Sequence, residues 1–148
     1  MKIIPATAAH LDDWARLRIA LWDWDTVEDH REEAEELYLA DNRDRAAFVA
    51  MDDDGDMVGF AETTLRRDYV EGCETSPVVF LEGIYVRSDA RKAGVALALS
   101  EAVAAWGRSQ GCTEYASNAL LDNHDSHAFH AAIGFEETER VVFFRKEL

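Results

Sequence analysis

The stretch from Phe80 to Ala96, Phe-Leu-Glu-Gly-Ile-Tyr-Val-Arg-Ser-Asp-Ala-Arg-Lys-Ala-Gly-Val-Ala, restricts the possible folds more than any other part of the chain. An apolar run, Val78 to Val86, stops at a polar, turn-prone patch, and small residues then open a long amphipathic run from Val95 to Arg108. The pattern predicts a buried strand, a tight basic turn and a helix that starts with almost no side-chain bulk. The first N–H groups of such a helix have no intrahelical partner, and the positive end of the helix dipole stands behind them. Arg91 and Lys92 add charge just ahead, while Gly94 and Ala96 let a ligand come close to the backbone. The turn Arg91, Lys92, Ala93, Gly94, Val95 and Ala96 is therefore expected to hold an anion, most naturally a diphosphate.

A chain of 148 residues with 48% hydrophobic content suits one domain, residues 1–148, around a single core. No stretch approaches a membrane span and the first residues carry no apolar leader, so a cytoplasmic location is expected. Cys73 and Cys112 are too few for a disulfide scaffold and are read as thiols. Thirty acidic residues against fifteen basic ones give a net charge of −15, which argues against nucleic acid and anionic membranes as partners. Ten carboxylates fall between Asp12 and Glu36, opposed by Arg16, Arg18 and Arg31. That distribution suits a polycationic partner, although acidity also serves solubility.

In chain order, Met1 to Pro5 reads as a strand. Thr7 caps a helix whose apolar stripe is Leu11, Trp14, Leu17 and Leu21. Thr26 caps a second helix that ends near Asp41. Ala47–Met51 and Met57–Leu65 form a hairpin about the Asp53-Asp54-Gly55-Asp56 turn. The polar segment Arg66–Pro77 leads into the central strand. Thr113–Ser117 is a fifth strand, Asp125–Ile133 a short helix closed by Gly134, and Val141–Arg145 a terminal strand. His124, His127 and His130 cluster near that last helix. No carboxylate or cysteine stands at supporting helical spacing, so no metal is expected.

The spacing Arg91-x-x-Gly94-x-Ala96 after a strand ending in Val86 resembles the acetyl-CoA pyrophosphate motif of the GCN5-related N-acetyltransferases. Asn123, with the helix end Phe129-His130-Ala131-Ala132-Ile133-Gly134-Phe135, is similar to a second signature of that superfamily. Narrower still, Leu21-Trp22, Glu74-Thr75-Ser76-Pro77, Phe80-Leu81-Glu82-Gly83-Ile84-Tyr85-Val86 and Ala119-Leu120-Leu121-Asp122-Asn123 resemble the short aminoglycoside 6′-N-acetyltransferases. The likeness implies an α/β (α+β) fold, with a mixed, mostly antiparallel sheet, helices on both faces, and strands four and five splayed to admit acetyl-CoA.

The resemblance also implies site residues. Ile84, Tyr85 and Val86 would offer backbone groups to the pantetheine arm, Arg91–Ala96 would hold the pyrophosphate, and Asn123 would contact the cofactor arm. Trp22, Tyr69, Glu82 and Glu139 match positions that line the aminoglycoside pocket, and Glu74 is counted with them. Asn118 stands where the family usually has Asp, and His130 where many members have a Tyr that protonates the departing thiolate. A homodimer is common among such proteins.

Physical chemistry supports part of this independently. An ammonium has no lone pair, and alkylamines titrate near ~10.4, so a cationic acceptor must lose a proton before it attacks a thioester. A carboxylate beside it binds the cation and, directly or through water, accepts the proton. Glu82 is the first choice, because Gly83 beside it suggests a bulge at the site. Asn118 accepts hydrogen bonds but takes no proton. Several residues keep two readings: Trp22 as core or pocket, Asn123 as helix cap or cofactor ligand, His130 as acid or partly buried histidine, and Glu139 as pocket or solvated face. Two rival functions also stand, an acetyltransferase for another cationic amine and a non-catalytic binder of CoA and aminoglycoside.

Overall fold

The apolar run Val78–Val86 forms β4, the fourth of five strands in a sheet ordered β1-β2-β3-β4-β5. The computed structural model describes the whole chain, Met1–Leu148. Strands β1 (Lys2–Pro5), β2 (Arg45–Met51), β3 (Met57–Arg66) and β4 pair antiparallel in sequence order. Only β5 (Tyr115–Ser117) lies parallel to its neighbour, β4. A parallel pair needs a crossover, and helix α3 (Val95–Ser109) supplies it.

Two cores result, one on each face of the sheet. Val95, Leu99 and Val103 of α3 pack on Ala61, Leu65, Val79 and Leu81. On the opposite face, α1 (Leu11–Leu21) and α2 (Val27–Ala34) cover Val49 and Phe60 with Leu11, Trp14, Leu17 and Ala34. The α1 stripe is the expected one, with Leu21 only half-buried. Thr26 caps α2 as its residue type dictates. Its hydroxyl accepts from the Asp29 N–H at 3.2 Å, and the Asp29 carboxylate accepts from the Thr26 N–H at 3.3 Å. The helical path then runs on through a wider turn, Glu35–Leu39. The β2–β3 hairpin closes as expected, with the Asp52 carboxylate accepting from the N–H groups of Asp54 and Asp56.

One expected element does not form. Val141–Arg145 is not a strand, and the chain after Gly134 has no regular structure. The β-branched and aromatic residues there have strand propensity, but a strand exists only through a neighbour's hydrogen bonds. Here no strand lies alongside. Val142 and Phe143 are exposed, and Phe144 is 92% exposed. The tail touches the body near its start, where Thr138 occupies the space that a Cβ on Gly72 would fill.

Candidate active site

The register of β3 on β4 explains where Glu82 points. Thr63 faces Leu81 and Glu62 faces Gly83, which leaves Glu82 as an extra, unpaired residue. Such a bulge re-aims side chains. Before it, Val79 and Leu81 face α3 while Val78 and Phe80 face away. After it the alternation is reversed: Ile84 and Val86 pack towards α3, and Tyr85 towards α1. Glu82 and Gly83 therefore look out on the same, α1-covered face. The bulge expected from Gly83 is present, and the residue it displaces is the candidate base itself. The Trp22 indole packs against Gly83, where any Cβ would stand 2.4 Å from the ring. Only glycine permits that contact, so Gly83 fixes the distance between Trp22 and Glu82.

The other side of β4 opens at the same level. Pairing with β5 ends at Leu81–Ser117, so Glu82–Val86 has no strand beyond it. The outward backbone groups of Ile84, Tyr85 and Val86 face this split. At its far end the basic turn reaches α3. Gly94 is left-handed (φ +77°), with nothing within 4 Å of where its Cβ would be, and no side chain caps the helix. Lys92 is also left-handed (φ +64°), a costly state for a residue with a side chain. Arg91 Nε donates to the Val86 carbonyl at 3.0 Å and its guanidinium carbon lies 5.6 Å from the Tyr85 ring, so the turn is tied back to the strand end. Uncapped N–H groups, an open glycine and exposed basic side chains fit a diphosphate, and the split fits an extended arm that pairs with β4.

The acceptor side mixes carboxylates, arginines and aromatic rings. A cleft of ≈ 520 Å³ is lined by Asp44, Thr64, Arg66, Asp68, Tyr69 and Glu82. A smaller cavity of ≈ 310 Å³ lies against Trp22, Trp24, Glu33 and Tyr38. Both reach Arg45 and Glu82, so the two meet at the bulge. The fold thus gathers Trp22, Tyr69 and Glu82 around one opening. Glu74 and Glu139 line neither space, and both are exposed. Glu74 belongs instead to a loop held by Glu114, whose carboxylate accepts from the N–H groups of Glu74 (2.9 Å) and Thr75 (2.7 Å) and from the Thr75 hydroxyl (2.5 Å).

Asn118 follows directly on the last paired residue of β5, exposed, where the strands part. His130, in helix α4 (His124–Ala132), reaches the same point. Its Nδ1 meets the Ser126 carbonyl at 2.7 Å, and a carbonyl only accepts, so Nδ1 carries the proton. Nε2 meets the Ser117 hydroxyl at 2.8 Å, and that hydroxyl also reaches the Leu81 carbonyl at 3.3 Å. Ser117, the last paired residue of β5, thus links His130 to the point where the strands part. The Asn123 side chain accepts from the Ser126 N–H at 3.2 Å, so its oxygen caps α4.

Two arginines that sequence reasoning did not single out complete the picture. Along β3, Phe60, Glu62, Thr64 and Arg66 share the α1 face by strand alternation. Arg66 clamps Glu82. Its Nε and Nη2 lie 3.1 and 3.0 Å from Oε1, Nη2 is also 3.0 Å from Oε2, and Thr64 donates to Oε1 at 2.6 Å. Deeper in, Arg18 donates to Glu62 at 2.5 Å, to Glu33 and to His30 Nδ1, and its guanidinium carbon lies 5.0 Å from the Trp22 ring. Trp14 Nε1 adds a bond to Glu62 at 2.9 Å. Burial pushes the Glu62 carboxyl up in pKa, against the opposing pull of Arg18 and Trp14. The same burial, with the charges of Glu62 and Glu82, pushes the Tyr38 phenol up. Nothing in the local sequence marks either arginine for its partner, Arg18 lying on α1 and Arg66 at the end of β3.

Comparison with known proteins supports this geometry. Residues 14–135 match the acetyltransferase (GNAT) family. The chain is 51% identical over 139 residues to the aminoglycoside N(6′)-acetyltransferase type 1 of Serratia marcescens, covering 94% of each chain. It is 50% identical over 143 residues to that of Stenotrophomonas maltophilia, covering 97% of this chain and 91% of the relative. Among solved structures, AAC(6′)-Iy in complex with the bisubstrate analog CoA-S-monomethyl-acetylneamine superposes with a TM-score of 0.91 at 46% identity, covering 99% of this chain and 98% of that one. Apo AAC(6′)-IG from Acinetobacter haemolyticus gives 0.93 at 44% identity, covering 100% and 99%. A splayed β4–β5 pair, an uncapped glycine turn at its end and matches spanning nearly the whole chain all lead one way: the chain belongs to the GNAT acetyltransferase family.

Proposed function

We propose that this protein transfers acetyl from acetyl-CoA to the 6′-amino group of aminoglycosides, thereby conferring resistance to them. The observation that carries this reading is the bulge that turns Glu82, with Asp44 and Asp68, into a cleft at the level where β4 and β5 separate, its other charges being Arg45, Arg66 and Arg67. A donor thioester lying in the split and a cationic amine lying in the cleft then meet at one residue. The 6′-amine attacks the thioester carbonyl directly; the N–C bond forms, the C–S bond breaks, and CoA leaves as the thiolate. Glu82 takes the proton from the acceptor ammonium, directly or through water, since Asn118 has no proton-accepting form. As the amide forms, the second proton of the nitrogen passes to the departing sulfur, with the Ser117 hydroxyl, 2.8 Å from His130 Nε2, as a relay that takes one proton as it gives another. Outward N–H groups of β4 polarise the carbonyl. Trp22 and Tyr69 offer flat faces to the sugar rings.

A thiol-release assay over tobramycin, kanamycin, spermidine and a basic peptide tests the assignment. Turnover restricted to acceptors with a 6′-amine is the expected result. Turnover of spermidine alone, or tight drug binding without released thiol, would defeat it.

The expected homodimer also belongs here. Four consecutive apolar residues, Val141–Phe144, stand at the surface of a chain whose last strand, β5, has only three residues. A second copy is the partner that covers them, through the tail that begins against the Tyr69-bearing loop at Gly72. Sedimentation equilibrium of the full chain, with and without residues 141–148, is expected to show a dimer that the truncation dissociates. The proposed place of action is the cytoplasm, where acetyl-CoA is available.

A further inference from the structure

The carboxylate assigned to the substrate amine is already occupied by a cation of the chain itself. Arg66 is the last residue of β3, opposite Val78, and its side chain lies on the face towards which the bulge turns Glu82. Counting acceptor sites shows how complete the occupation is. Glu82 Oε1 takes three hydrogen bonds, from Thr64 Oγ1 and from Nε and Nη2 of Arg66. Oε2 takes one, from Nη2. An ionised carboxylate has about four lone-pair sites, two on each oxygen, so Oε1 is fully claimed and Oε2 keeps one site. Phe80 supports the clamp from below, with the guanidinium carbon 3.4 Å from the ring centroid.

We propose that Arg66 is a resident counter-ion that the acceptor's ammonium displaces from Glu82. Both side chains are partly open to solvent, 41% for Arg66 and 27% for Glu82, so the exchange happens at the cleft wall and needs no opening of the core. The guanidinium also has somewhere to go. Asp68 lines the same cleft and forms no ion pair, whereas Asp44 is taken by Arg67 at 2.8 Å. Pairing Glu82 with Arg66 keeps the carboxylate neutralised while no amine is present. The same pairing weakens every acceptor that must break it. Partly exposed ion pairs contribute little, so the weakening amounts to about fivefold at most.

This inference rests on the reading that Glu82 receives the acceptor amine, and the experiment separates the two. Steady-state kinetics with tobramycin would be measured for the wild type, Arg66→Gln, Arg66→Lys, Glu82→Gln and the Arg66→Gln/Glu82→Gln double variant, each checked for folding by its thermal midpoint. Arg66→Gln is expected to lower the tobramycin KM up to about fivefold, with the acetyl-CoA KM unchanged. Arg66→Lys keeps the charge but loses the two-pronged grip, so its KM falls in between. In the Glu82→Gln background, removing Arg66 is expected to change nothing further. A KM that rises or stays level in Arg66→Gln overturns the displacement and makes Arg66 a fixed support for Glu82. An effect that persists without the Glu82 charge overturns it equally. If Glu82→Gln alone leaves both KM and turnover untouched, the fault lies with the assignment of Glu82.

Discussion

Two carboxylate–guanidinium pairs stand on one face of the sheet and differ in almost everything but composition. Glu62–Arg18 is buried at the floor of the smaller cavity, with Glu62 1% exposed, and Trp14, His30 and Glu33 complete its hydrogen bonds. Glu82–Arg66 is open on one side and stands where two cavities meet. The two glutamates lie on neighbouring strands, with Glu62 paired to Gly83, the residue next to Glu82. What separates them is the bulge and the helix above. The α1–α2 pair lies over Glu62, while Glu82 is pushed out beyond Trp22. The lesson is that one ion pair can serve architecture and its neighbour exchange, with solvent access deciding which.

The largest expected effect breaks the buried pair. Glu62→Ala leaves the Arg18 guanidinium buried without its main partner, and removing one member of a buried pair costs about 3–5 kcal/mol. The urea midpoint would fall accordingly. Replacing both, as Glu62→Gln with Arg18→Met, is expected to recover most of that loss, because the desolvated charges leave together. At the open pair the result inverts. Glu82→Gln is expected to change stability by under ~1 kcal/mol and turnover by at least a hundredfold, roughly. A Glu62→Ala protein as stable as the wild type would abolish the distinction between the two pairs.

A middle-sized effect tests what holds the open pair in position. Gly83→Ala forces a Cβ to within 2.4 Å of the Trp22 indole, which must then move. Overpacking of this kind costs about 1–3 kcal/mol. Displacing the Trp22 face relative to Glu82 is expected to lower kcat/KM for the aminoglycoside about tenfold or more, with acetyl-CoA affinity kept. Equal losses for both substrates would mean that Gly83 serves the sheet as a whole and not the acceptor side.

Much of this was legible in the chain, and the limits have physical causes. Strands β1–β5, helices α1, α3 and α4 and the basic turn follow from local periodicity and small-residue spacing and formed close to their expected bounds, while α2 is α-helical only to Ala34 and continues as a wider turn to Leu39. Gly83 announced the bulge because glycine inside a strand marks a close approach. Arg66 and Arg18 were not legible, because their partners lie 16 and 44 residues away and depend on register and helix docking. The terminal strand failed for the complementary reason. Val141–Phe144 has the propensity, but propensity supplies no hydrogen-bonding neighbour. Glu74 and Glu139 were proposed from resemblance alone, and neither lines the cleft.

The smallest effect concerns a third carboxylate, held by uncharged donors only. Glu114 binds the Glu74 and Thr75 N–H groups and the Thr75 hydroxyl, and these bonds, the Thr75 hydroxyl foremost, hold its pKa below the ordinary value of 4.5. A folded-state pKa that is lowered means the tether is fully present above the ordinary value and is lost as pH falls through the depressed one. Tyr69 shares the Arg66–Pro77 connection with these residues, so the tether steadies the aromatic side of the cleft. Between neutral pH and pH ~3, the amide proton shifts of Glu74 and Thr75 are expected to titrate together, with a midpoint below that of a free glutamate. Glu114→Gln is expected to remove the shared titration and leave the folded core unchanged. Amide shifts that stay flat over that range, or that survive the substitution, would show that the loop is held by something other than Glu114.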